Sequence, residues 1–160
     1  MEDQRYVPTL TLEVDQDPAI VEVLNELLTV VHDSLNGYRT GEDALEDGNY
    51  AALFNEYAQQ REQMGIELSN LVVKYGGTPQ HNGSVAGALH RVWVNIKAAA
   101  NQGDASIMAE SDLSEEATLK TYQNALAHRD LPEELRDVIR NHMSLVRLAH
   151  ERIQALKAVM

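Results

Sequence analysis

Arg61 stands where a helical stripe calls for an apolar side chain. The surrounding positions Leu53, Phe54, Tyr57, Ala58, Met64, Leu68, Leu71, Val72 and Tyr75 recur at three- and four-residue spacing, the pattern of a helix face turned to a core. A guanidinium cannot shed its charge, so a buried one needs a carboxylate. The other reading is a snorkelling side chain with its head at the rim. Further polar groups lie on or beside apolar stripes elsewhere: Ser111, Ser114, Glu115 and Thr118; then His142, Arg147 and His150; and, earlier, Asp33 and Glu42. Arg147 and His150 are three apart and share a helix face. Carboxylates and imidazoles in one layer can pair with guanidiniums or hold a metal ion. Each also has a plainer reading: His142 as a hydrogen-bonded core histidine, Glu115 with Glu116 as surface carboxylates.

The elements that must position these groups are helices. Residues 1–16 have no helical period and read as an N-terminal extension; residues 17–160 read as the folded domain. Asp17-Pro18 is an N-cap followed by Pro at the first helical position. That helix runs to about Asp47, with Val30, Ser34, Gly37, Gly41 and Ala44 on a second line. Glycines at four-residue spacing let a neighbouring helix approach closely, with a hinge as the other reading. A break at Gly48-Asn49 leads to a helix from about Asn49 to Tyr75, ended by Gly76-Gly77. Residues 78–83 form a loop, and a shorter amphipathic helix covers about 85–100. Asp104 caps a helix to about Ala127. Asp130-Leu131-Pro132-Glu133 is a capping-box-like start for a last helix that extends nearly to the C-terminus. The spacing thus predicts an all-α chain of four long helices, with a short one between the second and third. Such rods pack as a bundle. The tight breaks imply two antiparallel hairpins, and the 77–103 connection is long enough to travel the bundle's length. Pairing within the hairpins puts Arg61 opposite the middle of the first helix. Glu115 then lies about one turn from Arg147, and Glu110 opposite Arg147 to His150.

Composition narrows the functions. Thirteen Lys and Arg against 25 Asp and Glu give a net charge of −12. That balance argues against nucleic acid and anionic membranes, which need clustered cations. There is no Cys, which excludes disulfides, thiolate metal sites and Cys nucleophiles. The first residues do not begin a signal peptide and no apolar run approaches a membrane span, so the cytoplasm is the expected location. No nucleotide-binding loop, His-Glu-x-x-His, nucleophile elbow or repeat array is present.

Four long helices, a long second connection and mid-bundle polar groups resemble the ferritin-like and rubrerythrin-like superfamily. More closely, the chain resembles small bacterial ferritin-like proteins of unknown function. The resemblance covers about residues 20–158. It rests on Asp33 through Gly37-Tyr38-Arg39, Leu53-Phe54 through Gln60-Arg61, Ala109-Glu110 through Glu115-Glu116 to Tyr122, and Ala149-His150-Glu151-Arg152-Ile153. Its most specific stretch is Gly83-Ser84-Val85-Ala86-Gly87-Ala88-Leu89-His90-Arg91-Val92-Trp93. The resemblance implies an antiparallel four-helix bundle. Di-iron members hold their metals with a Glu from each of two helices and Glu-x-x-His from each of the other two. Here Arg61-Glu62-Gln63-Met64 and Arg147-Leu148-Ala149-His150 stand in the two Glu-x-x-His places. A cation replaces a carboxylate twice, and only one imidazole survives.

The expectation is a degenerate di-iron site, replaced by a layer of Asp33, Arg61, Glu115, Arg147 and His150. In it, Arg61 and Arg147 pair with Glu115 and Asp33. The protein would then be non-catalytic, without a cofactor, in a binding or stress-linked role with an unknown partner. Two other readings stand beside it. Asp33, Glu110, Glu115 and His150 could hold iron or manganese in an oxidoreductase with unusual ligands. Or the chain is a helical adaptor that forms a homodimer through its Gly37/Gly41 side or the Trp93 helix.

Overall fold

A computed structural model of the chain describes residues 17–80 and 95–160. Residues 1–16 and most of the short helix expected at 85–100, Trp93 included, lie outside the described residues. Within them the chain is helical, with no strand. Four long helices run Pro18–Ala44 (α1), Gly48–Lys74 (α2), Asp104–Leu126 (α3) and Glu133–Ala158 (α4). Residues 95–99 are also helical. No helix among the described residues is long and apolar enough to cross a membrane.

The helix starts show how local chemistry sets the boundaries. Asp17 caps α1 by accepting from the amides of Ala19 (3.1 Å) and Ile20 (3.3 Å), with Pro18 at the first position. Asp47 does the same for α2 through Asn49 (2.8 Å) and Tyr50 (3.4 Å), so Gly48 is helical and the break falls earlier, at residues 45–47. The α2 C-terminus is followed by Gly76 at φ 84°, a left-handed turn that glycine adopts without steric cost.

Two expected caps differ. Asp104 is the first residue of α3 rather than its cap, and its carboxylate accepts from the amides of Glu46 (2.8 Å) and Asp47 (3.0 Å). It therefore clamps the α1–α2 turn to the start of α3. Before α4 the cap is Pro132, with no side-chain cap bond, and Glu133 and Glu134 form an acidic first turn that favours the positive end of the helix dipole.

The Asp104 clamp fixes the topology. It puts the end of α1, the start of α2 and the start of α3 at one end of the bundle. At the other end Lys74 of α2 pairs with Glu134 of α4 at 2.6 Å, and Asn25 of α1 bonds the backbone of Thr78 and Gln80. α1 and α4 therefore run one way and α2 and α3 the other. The termini of the 75–103 connection lie at opposite ends of the bundle. The principal packed pairs are α1 with α2, α3 with α4, and α1 with α3.

Apolar side chains fill the interior in two blocks. One holds Leu24, Leu28, Leu68, Tyr122, Leu135 and Val146 among others. The second holds Tyr38, Phe54, Ala58, Ile107, Met108 and Ile153. On every helix the same interval separates them: Ser34 on α1, Arg61 on α2, Ser111, Glu115 and Thr118 on α3 and Ala149 on α4, all buried. The charged layer lies there.

The paired glycines of α1 serve close packing, as their spacing predicts. A Cβ at Gly41 would lie 2.7 Å from two Phe54 ring carbons and 3.3 Å from Ile107; one at Gly37 would meet Ile96 Cδ1 at 3.0 Å. Neither glycine is exposed, so the Gly37/Gly41 side is an internal seam and not the dimer face considered from the sequence. At Gly65 of α2 the same methyl would find Val31 at 3.7 Å and Leu28 at 4.0 Å, an ordinary contact. Gly41→Ala should therefore destabilise the fold by about 1–2 kcal/mol, overpacking outweighing helix propensity. Gly65→Ala should stabilise it by up to about 1 kcal/mol. Urea unfolding midpoints check both, and equal signs would contradict this packing.

Candidate functional site

Arg61 and Glu115 both have side chains with 0% of their surface exposed. The α2 stripe carries Arg61 inward between Ala58 and Met64, and α3 presents Glu115 from the opposite side. Arg61 Nη2 donates to both carboxylate oxygens, at 2.8 and 2.7 Å. Its Nε donates to Ser34 Oγ of α1 at 3.0 Å, and its Nη1 faces Met64 Sδ at 3.4 Å. Tyr38 of α1 donates its hydroxyl to Glu115 Oε1 at 2.5 Å. The guanidinium carbon also lies 5.6 Å from the centre of the Tyr38 ring, in cation–π range. Edge-on contact with Phe54, centroids 5.1 Å apart, holds that ring.

The electrostatics of this group are self-contained. Burial works against the Arg61 charge, but Glu115 outweighs it and holds the guanidinium above its ordinary range. Burial, and then the Glu115 charge, push the Tyr38 phenol well above its own. One cation faces one anion; Ser34 and Met64 accept from the cation, and Tyr38 donates to the anion. Isolated buried charges are untenable, and a pair survives only when its remaining groups are satisfied.

Of the five residues expected in this layer, the structure brings Arg61 and Glu115 together. Asp33 is half-buried on α1, and the α1 group that meets Arg61 is its neighbour Ser34. Arg147 is exposed. The inward line of α4 is Val146, Ala149 and Ile153, and a residue one step beyond Val146 is turned about 100° away. The expected second guanidinium is thus absent from the interior, and the small Ala149 occupies the α4 side of the layer. His150 is turned to a separate group. Its Nε2 lies 2.7 Å from Asp112 Oδ1, and Lys157 donates to Asp112 Oδ2 at 3.1 Å.

The alternative ligand set does not converge either. Both Glu115 oxygens are committed to Arg61 and Tyr38, and His150 to Asp112. Glu110 has a buried Oε2 without a hydrogen-bond partner among the described residues. Among the described residues no three His, Asp or Glu side chains are grouped to hold a metal ion. Among the described residues the donors around Arg61 do not match the set of a di-iron centre, which needs hard anionic oxygens free to bridge cations.

Several participants were not singled out from the sequence. Tyr38 lies four residues after Ser34, so their shared face was readable from spacing. Asp112 and Lys157 carried no such signal, since each follows a helix face that reads as solvated. His142 is the hydrogen-bonded core histidine its stripe position suggests: Nδ1 lies 2.9 Å from the Tyr122 hydroxyl and Nε2 3.1 Å from Glu67.

Arg61→Ala leaves Glu115 buried without its counter-charge and should cost about 3–5 kcal/mol. Arg61→Lys should restore little of that, since one ammonium cannot reproduce the fork that reaches Ser34 and both carboxylate oxygens. Unfolding free energies at neutral pH measure both; a loss under about 1 kcal/mol for Arg61→Ala would mean the pair is not the buried constraint it appears in the geometry.

Residues 19–128 match a protein family described as a domain of unknown function, DUF2383. No curated protein matches the chain. The matched span holds α1, α2 and α3, and with them Ser34, Tyr38, Arg61 and Glu115; α4 with His142, His150 and Lys157 follows it. The match covers well over half of the 160 residues, and the chain belongs to the DUF2383 family.

Proposed function

We propose that this protein is a ferritin-like bundle whose metal-binding centre has been replaced by a buried ion pair. On this reading it serves a non-catalytic binding or stress-linked role, without iron or manganese as a cofactor. The observation that carries the reading is the Arg61–Glu115 pair, one guanidinium nitrogen to both carboxylate oxygens at 2.7–2.8 Å, wholly buried between the two apolar blocks. That is the height at which a ferritin-like bundle builds its metal site from inward carboxylates. The helix directions and the long second connection support the same relationship. The chain's acidity and exposed carboxylates supply solubility and no clustered cations for nucleic acid.

A fixed guanidinium supplies what two metal ions otherwise would, a positive charge for an inward carboxylate. Unlike a metal it has no vacant coordination position, cannot change oxidation state and offers no bound water to activate. A layer of this kind holds helices in register and leaves reactivity out of the interior. Function then resides on the outer surface.

Elemental analysis of untagged protein, grown with iron and manganese supplied, tests the reading. Metal well below one ion per chain is expected, both as purified and after anaerobic incubation with Fe²⁺ or Mn²⁺ and desalting. Stoichiometric retention of either, lost in Glu115→Gln, would overturn it in favour of a metal-dependent oxidoreductase with an unusual ligand set.

A further inference from the structure

His142 lies on α4, 2% exposed, and bonds two other helices at once. Its Nε2 is 3.1 Å from Glu67 Oε2 of α2, and its Nδ1 is 2.9 Å from the Tyr122 hydroxyl of α3. The Tyr122 and His142 rings also meet edge-on, centroids 5.7 Å apart. α2 and α4 are not among the principal packed pairs, so this imidazole is a direct tie between them.

The bonding pattern fixes the tautomer. A carboxylate only accepts, so Nε2 carries the hydrogen and donates to Glu67. Neutral imidazole has one donor and one acceptor, so Nδ1 accepts and Tyr122 donates. The Tyr122 phenol is fully buried, and burial keeps it far above its ordinary range. It stays an O–H at any ordinary pH.

Protonation of Nδ1 breaks this arrangement. The ring nitrogen becomes a donor aimed at the Tyr122 oxygen, and the hydroxyl must turn its hydrogen elsewhere. Among the described residues that hydroxyl has no second acceptor, so a buried donor is left unmatched, which costs free energy. The charges around the ring give mixed support to a cation. From α2, Glu67 attracts it, but the Glu67 side chain is 53% exposed and screened by water. Arg61, also of α2, repels it. From α3 come Tyr122 itself and, through the Tyr122 environment, the charge of Glu115. α1 provides no hydrogen-bond or ion-pair partner to the ring among the described residues.

We propose that His142 is an acid-sensitive latch that holds α4 to α2 and α3 while neutral and loosens α4 when protonated. Burial, opposed by Glu67, lowers the imidazole below its ordinary value of 6.5. The unfolded chain therefore takes up the proton first as pH falls. The latch contributes its full stability above about 6.5 and loses it as the pH drops from there toward the folded-state value. Loosening α4 would uncover the apolar face of Leu135, Ile139 and Val146, and the device would make that face available under acid stress.

Hydrogen exchange read by mass spectrometry on the full chain tests the latch. From about pH 7.5 to about pH 5.5, and after correction for intrinsic rates, α4 amides of the wild type should lose at least about tenfold in protection, more than α1 amides do. His142→Gln keeps one donor and one acceptor but does not titrate, and should remove most of that difference. Unchanged α4 protection in the wild type, or the same loss in His142→Gln, overturns the proposal. Should the variant fail to fold, ¹⁵N spectra of the wild-type histidine rings decide. A neutral Nε2–H tautomer at neutral pH, titrating below the ordinary histidine range, supports the latch; an Nδ1–H tautomer or an ordinary titration overturns it.

Discussion

A guanidinium has no neutral form at accessible pH, so a fold that buries one must build its surroundings around that charge. Here the surroundings come from three helices. α3 gives Glu115 and α1 gives the Ser34 hydroxyl to a cation carried by α2, and α1 also gives the Tyr38 hydroxyl to Glu115. Slipping any of these helices by one residue would turn its group out of reach, since successive positions are about 100° apart. The pair thus demands one register of α1, α2 and α3. It also lies between the two blocks of the apolar interior. Such a pair adds little net stability over an apolar filling, because desolvation offsets attraction. What it adds is a penalty on every arrangement that leaves one partner alone.

α4 meets this layer differently. Its inward position there is Ala149, which brings no polar group. Its polar ties lie above and below, His142 to Glu67 and Tyr122, and His150 to Asp112. The His142 tie rests on an imidazole that burial holds below its ordinary range, whereas the central layer rests on a guanidinium that keeps its charge. The bundle therefore combines a central ion pair shared by α1, α2 and α3 with a fourth helix attached through separate polar contacts, the Lys74–Glu134 and Lys157–Asp112 pairs among them. The family match covers those first three helices and ends before α4.

The sequence carried much of this in its periodicity. Four long helices, the caps at Asp17 and the glycine stop at Gly76 are local signals, and each depends on a few adjacent side chains. Arg61 was conspicuous because a charge interrupted an otherwise unbroken stripe, and Glu115 because it shared an inward line with Ser111 and Thr118. Arg147 misled because it is one residue from Val146. A motif comparison places a residue by spacing from its neighbours, while burial depends on the absolute phase of the helix, set by packing against other helices. The Asp112 cluster and the Asp104 clamp were not legible, since each joins residues far apart in sequence through surface positions that look solvated.

A double-mutant cycle on the central pair tests the account most directly. Arg61→Met replaces the cation with an apolar chain, and Glu115→Gln removes the anion while leaving an acceptor for Tyr38. Each single variant strands a buried charge or donor set; the double variant leaves no charge unpaired. The account predicts that unfolding free energies show the double variant losing less than the two singles summed, by at least about 2 kcal/mol. Losses that simply add, to within about 0.5 kcal/mol, would contradict a buried pair on which the register of the bundle depends.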